Sequence, residues 1–191
     1  MHGRRWTRQE GLDHLDNPER RRHQDPEAFW RKVGLSPGTA VAEIGAGTGF
    51  FALPAAQAVG PAGKVYAVDI SDELVELLKE RQAERGMTNL FPVLSTAERI
   101  PLADGLADVV LLANVLHDIP PSTASEAVRL LKKGGRLINV DWKKTETPGG
   151  PPVSVRFTEA EATRRLEAMG LRHEKAWEFG PHHYVLEFRK P

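Results

Sequence analysis

Three glycines at alternate positions, Gly45, Gly47 and Gly49, follow a carboxylate, Glu43, within residues 41–51 (VAEIGAGTGFF). Glycines at a turn from strand to helix reach backbone conformations closed to other residues, and they let a ligand lie against the main chain. The spacing is G-x-G-x-G. A dinucleotide fingerprint, G-x-G-x-x-G, would need a glycine at position 50, where this chain has Phe50. Glu43 would repel a pyrophosphate at that turn, whereas it would hold a cationic amino group or a sulfonium. A second acid, Asp69, stands 20 residues beyond Gly49, the separation at which open α/β folds place a carboxylate on ribose hydroxyls. A carboxylate accepts both diol hydrogens. The competing role for Asp69, capping the next helix, is already filled by Ser71 with Asp72 and Glu73 behind it. Asn114, His117 and Asp118 follow an apolar run and belong to the same crevice by topology. His117 is the only one of seven histidines so placed. An imidazole titrates near neutrality and suits the removal of a proton from an acceptor, although it also suits a helix cap or a polar gap beside Asp118.

These groups require parallel strands that end together. Residues 41–44, 65–69, 90–94, 107–112 and 136–142 read as buried strands. Between them run helical segments. Asp25 suits an N-cap and Pro26 a first helical position, with Phe29, Trp30 and Val33 on one face before Gly34. Residues 50–59 read as a helix in which Pro54 marks either its regular start or a kink. Another runs from Asp72 to near Gly86, and Thr123 with Glu126 has capping-box spacing for the next. Residues 143–157 are rich in Pro and Gly, too punctuated for a regular element. Thr158 and Glu161 open a helix ending at Gly170, and alternating runs at 173–179 and 183–188 read as an antiparallel hairpin. The sum is an α/β, doubly wound, mostly parallel seven-stranded sheet with a C-terminal antiparallel hairpin.

Composition narrows the chemistry. At 191 residues the chain is most simply one domain. Lys plus Arg and Asp plus Glu are equal at 26 each, so no general field attracts nucleic acid or an anionic membrane. With no cysteine, disulfides, Cys-ligated zinc and thiolate nucleophiles are excluded. No apolar run reaches the roughly 18 residues of a membrane span, and the Arg-rich start lacks the apolar core of a secretory signal. A cytoplasmic protein is expected. Residues 1–24 are polar and aperiodic, with Arg4, Arg5 and Arg8 and then Arg20, Arg21 and Arg22. They read either as a solvated, partly disordered arm or as an arm folded over the crevice, with order beginning at Asp25.

Residues 43–49 resemble motif I, E/D-x-G-x-G-x-G, of the class I S-adenosylmethionine (SAM)-dependent methyltransferases. The resemblance extends over roughly residues 25–190 and is nearest in character to the quinone-biosynthesis C-methyltransferases. Residues 131–137 follow the family run L-K-P-G-G-x-L, with Lys133 in place of proline, and residues 95–102 follow G-D-A-E-x-L-P, with Thr96 in place of the aspartate that bonds the adenine amino group. The resemblance implies a Rossmann-like sheet of order 3-2-1-4-5-7-6, with residues 1–24 as an arm ahead of a methyltransferase domain at 25–191. It implies SAM as cofactor, S-adenosylhomocysteine (SAH) as product, and a small-molecule methyl acceptor as partner. Glu43, Gly45, Gly47, Gly49, Asp69 and Asn114 would hold the cofactor, Ile70 would pack on adenine, and Thr96 and Ala97 would lie at its edge. No metal is implied. The base-methylating signature N/D-P-P-Y/F is absent, Asn114-Val115-Leu116-His117 standing in its place, and arsenite methylation through thiolates is excluded by composition. The rival reading is a SAM-fold binding or scaffold protein without turnover. An NAD-dependent reductase is opposed by Glu43 and Phe50.

Overall fold

The computed structural model describes residues 5–191. Seven strands form one sheet: β1 (Ala40–Ile44), β2 (Lys64–Asp69), β3 (Leu90–Leu94), β4 (Ala107–Ala113), β5 (Leu131–Trp142), β6 (Arg172–Phe179) and β7 (His183–Arg189). Their order is β3-β2-β1-β4-β5-β7-β6, as the family resemblance implies. The first five pair in parallel, while β7 pairs antiparallel with both β5 and β6. The order reverses between β1 and β4, and the crevice beyond their carboxyl ends is where such sheets bind ligands.

Each face of the sheet carries its own core. Val41, Val65, Val109 and Leu111 meet α3 (Pro26–Val33) and α4 (Ala52–Val59) on one side. Ala42, Ile44, Val110 and Leu112 meet α6 (Pro121–Leu130) and α7 (Glu159–Glu167) on the other. Side chains alternate along a strand, so Glu43 shares the face of Val41, the α3–α4 side. The local signals for these helices hold. Asp25 caps α3, accepting from Ala28 N at 2.8 Å, and Gly34 ends it with φ 74°. Because α4 begins at Ala52, Pro54 falls in the first turn, where its missing N–H leaves no bond unmade. Ser71 caps α5 (Asp72–Glu84), and Thr158 with Glu161 forms the capping box of α7.

Order does not begin at Asp25. Two further helices precede it, α1 (Arg8–Leu15), with a capping box from Thr7 and Glu10, and α2 (Pro18–His23), capped by Asn17. The only buried residue of α1 is Gly11; a Cβ there would sit 2.7 Å from Leu74 Cδ2. A helix that docks through a glycine has no apolar stripe, which is why the arm reads as aperiodic. The described part of the arm is therefore helical, with α1 docked through Gly11 and α2 exposed; Arg4 and His2 lie outside the described residues.

The expected capping box at Thr123 and Glu126 is not one. Helix α6 starts at Pro121, Thr123 Oγ1 donates to the Ala97 carbonyl, and Glu126 Oε2 accepts from Ile100 N at 2.9 Å. Both side chains anchor the segment after β3 instead. Strand β5 starts at Leu131 rather than Arg136, because Leu131 pairs with Ala107 across an irregularity in the ladder. Residues 143–157 hold only a short 3-10 helix, Val153–Val155, yet they have their own organising centre. The buried Arg156 donates to the carbonyls of Lys143, Thr145, Gly149 and Pro151 and to Thr147 Oγ1. Among the described residues no helix is long and apolar enough to cross a membrane.

Candidate cofactor and acceptor site

The glycine loop after β1 takes its shape from β2. Gly45 N and Ala46 N donate to Val68 O at 2.8 and 2.9 Å. Gly47 N donates to Asp69 Oδ2 at 2.7 Å, and Ser71 N donates to Asp69 Oδ1 at 2.9 Å. Asp69 thus ties the loop to the end of β2. Burial pushes its carboxyl above the usual range, against the pull of those N–H groups. The loop also needs its glycines sterically. Gly47 has φ 57°, and a Cβ there would lie 2.8 Å from Leu15 Cδ1; Gly45 has φ 73°, with a Cβ 2.6 Å from Val115 Cγ1.

Two buried polar atoms at this rim have no partner. Glu43 is only 2% exposed, and its Oε2 makes no hydrogen bond. Burial pushes its carboxyl well above the usual range; Arg20 and the Ala52 N–H pull it down, and Asp69 adds to the rise. An unsatisfied buried acceptor costs about 1–3 kcal/mol, more if charged, and a cationic ligand would offset this. Asn114, just past β4, is the only non-glycine residue with positive φ among the described residues, at 58°. Its N–H donates to Val140 O at 2.7 Å, and its buried Oδ1 is unpartnered. Backbone held in that region by a neighbouring strand, with an orphaned side-chain oxygen, is the kind of arrangement that persists at ligand sites. These residues suit a cofactor with a cationic amino-acid end.

A cleft of about 430 Å³ beyond β2 and β3 is lined by Ile70, Leu94, Ser95 and Thr96, with Arg5 and Arg99 at its edge. Ile70 and Thr96 therefore line the same cleft. The Thr96 hydroxyl already accepts from Glu98 N and Arg99 N, closing a turn. Ala97 is not on the cleft wall, and its carbonyl is bonded by Thr123 and Ser122 of α6.

His117 follows β4, and its Nδ1 donates to Asp141 Oδ1 at 2.8 Å. Its side chain is 9% exposed and that of Asp141 1%. Asp141 lies near the end of β5, where pairing of Ala113 with Val140 places it just beyond the tip of β4. Burial lowers the imidazole pKa, but the Asp141 hydrogen bond and charge, helped by Asp118, outweigh burial and the opposing Arg156, so the net shift is upward. With Nδ1 donating, Nε2 is the nitrogen left to accept a proton. Sequence reading missed Asp141. The available signal was an acid at the C-terminal end of a buried strand, as at Glu43 and Asp69.

The sign of this coupling is testable. Because the folded-state pKa of His117 is raised, the pair's contribution to stability is fully present below the unfolded value of about 6.5 and is lost as pH rises through the folded value. Asp141→Asn is expected to move the His117 titration midpoint, followed by NMR, to lower pH. A midpoint that stays in place would show that Asp141 does not tune the imidazole.

The arm lies against this site. Thr48 Oγ1 donates to Asp16 Oδ1 at 2.6 Å, and Arg81 bridges Asp16 and Thr48 O. Ser71 Oγ donates to Trp6 O at 2.6 Å, and the Arg20 guanidinium carbon lies 3.9 Å above the centre of the Phe50 ring. The C-terminal end of α2 abuts the β6–β7 turn, with the His23 carbonyl against Gly180.

Residues 42–139 match the methyltransferase domain family. The chain is similar to a SAM-dependent methyltransferase of known structure from Aquifex aeolicus, with a TM-score of 0.89 and 31% identity, over 94% of this chain and 97% of that one. It is 35% identical over 123 residues to a ubiquinone/menaquinone biosynthesis C-methyltransferase of Ectopseudomonas mendocina, which is 62% of this chain and 46% of that protein. The chain thus spans about half the length of the curated relatives it matches. A geranyl diphosphate C-methyltransferase of Streptomyces coelicolor A3(2), crystallised with S-adenosyl-L-homocysteine, shares the fold at a TM-score of 0.73 and 14% identity, over 87% of this chain and 75% of that one.

Proposed function

Since the chain belongs to the SAM-dependent methyltransferase family, we propose that it methylates a small-molecule acceptor whose ring hydroxyl gives up a proton to His117. The observation that carries this is the His117–Asp141 pair at the tips of β4 and β5, beside the strained Asn114. When bound, the cofactor supplies an activated methyl group on a sulfonium that departs as a neutral thioether. The chain's own contribution is binding, orientation and proton removal. Glu43 holds a cationic amino group, Gly45, Gly47 and Gly49 let the ligand lie against the main chain, and Asp69 accepts from the ribose diol. Ile70 and Thr96 would border the adenine, with Ala97 next to Thr96 in the chain, and Asn114 would offer its unpartnered Oδ1 to the bound cofactor. His117 Nε2 accepts the acceptor's proton, and Asp141 keeps the other ring nitrogen protonated.

A base that titrates above ordinary histidine suits a weakly acidic hydroxyl on a conjugated ring, where deprotonation also activates the adjacent carbon. The name of the Ectopseudomonas mendocina relative, a quinone-biosynthesis C-methyltransferase, supports the same class of acceptor. The test is SAH release from SAM over three acceptor panels: hydroxylated aromatics, amines and carboxylic acids. Turnover confined to amines or carboxylic acids would overturn the proposal.

The assignment of Asp69 has its own test. Asp69→Ala is expected to weaken SAH binding by about 10- to 100-fold, the worth of a charged hydrogen-bond acceptor. Calorimetry on wild type and variant reads this directly. Equal affinities would remove Asp69 from the cofactor site and leave it as the tie between loop and strand.

A further inference from the structure

Resting on the reading above of a hydroxylated ring as acceptor, we propose that His183 hydrogen-bonds a second oxygen of that acceptor, one rung of the sheet away from the His117–Asp141 pair. His183 is the first residue of β7 and pairs with Trp142, the last of β5; the neighbouring rung joins Asp141 to Tyr184. The two rungs are also tied locally, since Asp141 Oδ1 accepts from Trp142 N at 2.9 Å as well as from His117. Successive side chains on a strand face opposite ways, so Asp141 and Trp142 straddle the tip of β5. The His183 imidazole, beside Trp142, therefore stands at the other side of the strand end that carries the base.

Nothing in the fold uses the polarity of this imidazole. His183 is 4% exposed, and neither Nδ1 nor Nε2 has a hydrogen-bond partner among the described residues. A neutral imidazole carries one N–H and one lone pair, so a donor and an acceptor are both buried unused, each at a cost to the folded protein. The same face of the sheet is apolar at Val140 and Val185, and an apolar side chain would fill the position without that cost. The ring is nevertheless held in place. Its centre lies 4.1 Å from that of Trp142, against which Gly150 packs so closely that a Cβ would lie 2.8 Å from the indole.

The surroundings select the kind of ligand. Burial, with Arg20, His182, Arg156 and His23 adding positive potential, holds the His183 pKa down to about 3. The ring is thus neutral near pH 7 and is no proton-removing group, a task that stays with His117. An electropositive setting opposes a cationic amine and favours oxygen. A hydroxyl on the acceptor ring both donates and accepts, so it satisfies either nitrogen.

Two readouts test this, and the first needs no acceptor. At least one of His183→Leu and His183→Met should raise the urea midpoint of the free protein, because each removes two unpaired polar atoms from a buried position. Midpoints unchanged or lowered in both would show that the imidazole serves the fold, for instance through a buried water, and would overturn the proposal. The second readout is kcat and KM, measured without oxygen, for 2-methylphenol and 2-methylhydroquinone, which differ only in the second hydroxyl. The wild type should favour the hydroquinone by about 5- to 100-fold in kcat/KM, since the phenol leaves the imidazole unpaired. In His183→Leu the preference should fall to within about two-fold, through KM rather than kcat, with SAH affinity unchanged. His183→Asn or His183→Gln, whose amides overlie Nδ1 and Nε2 respectively, should restore part of it. An equal preference in wild type and His183→Leu would remove His183 from the acceptor site. Wild-type turnover on neither compound would instead overturn the hydroxylated-ring reading on which the contact rests.

Discussion

His117→Asn is expected to lower the rate of methyl transfer by roughly 10²–10⁴-fold, the usual worth of a positioned general base, while SAH affinity stays close to wild type. The split follows from geometry. His117 sits at the tip of β4 against Asp141, whereas the glycine loop and Asp69 belong to β1 and β2. Asparagine keeps a donor for Asp141 but offers no nitrogen that titrates near neutrality. The rate should also follow the protonation state of the imidazole: low where it is charged, rising as pH passes through its raised pKa. Single-turnover kinetics with SAM and a hydroxylated aromatic acceptor, across pH, measures both. A variant with native turnover would make the residue structural, holding Asp141 in the rim of the sheet.

Trp30→Ala is expected to cost about 3–5 kcal/mol of folding stability, the range for deleting a large buried aromatic side chain. Trp30 is 1% exposed, packs edge-on against Phe29 at 4.9 Å, and donates from Nε1 to Phe51 O at 2.8 Å. Phe51 is the N-cap of α4, directly after the glycine loop, so this bond ties α3 to the backbone that shapes the site. Trp30→Phe separates the two contributions. It fills most of the volume and removes one of the two donors to the Phe51 carbonyl, which still accepts from Ala55 N, at about 0.5–1.5 kcal/mol. Urea unfolding of the two variants should rank them in that order. A loss below about 1.5 kcal/mol for Trp30→Ala would mean that the α3–α4 packing is not a principal support of the fold.

What the sequence determined by itself was written in short stretches. The alternation of buried strands and amphipathic helices specified a doubly wound sheet, and caps such as Asp25, Ser71 and Thr158 placed helix starts. Glu43, the glycines and Asp69 are legible because a strand end and a turn are local, and their spacing carries the chemistry. Local patterns ran out where a side chain has more than one partner within reach. Thr123 and Glu126 have capping-box spacing, yet both bond the segment at 97–100, because the folded chain brings that segment closer than their own helix end. The helices of the arm left no periodic trace in the sequence, because α1 docks through Gly11, which has no side chain, and α2 buries none of its residues.

Only the tertiary structure decided which distant groups meet. Asp141 is 24 residues from His117 and becomes its partner through the pairing of β4 with β5. Arg20 of α2 comes to lie 3.9 Å above the centre of the Phe50 ring, and Arg156 gathers the carbonyls of a loop whose sequence is too punctuated for a regular element. In each case the decisive term is the burial of a charged group. Its cost depends on every atom around it, and that environment is a property of the folded chain, not of any window of sequence.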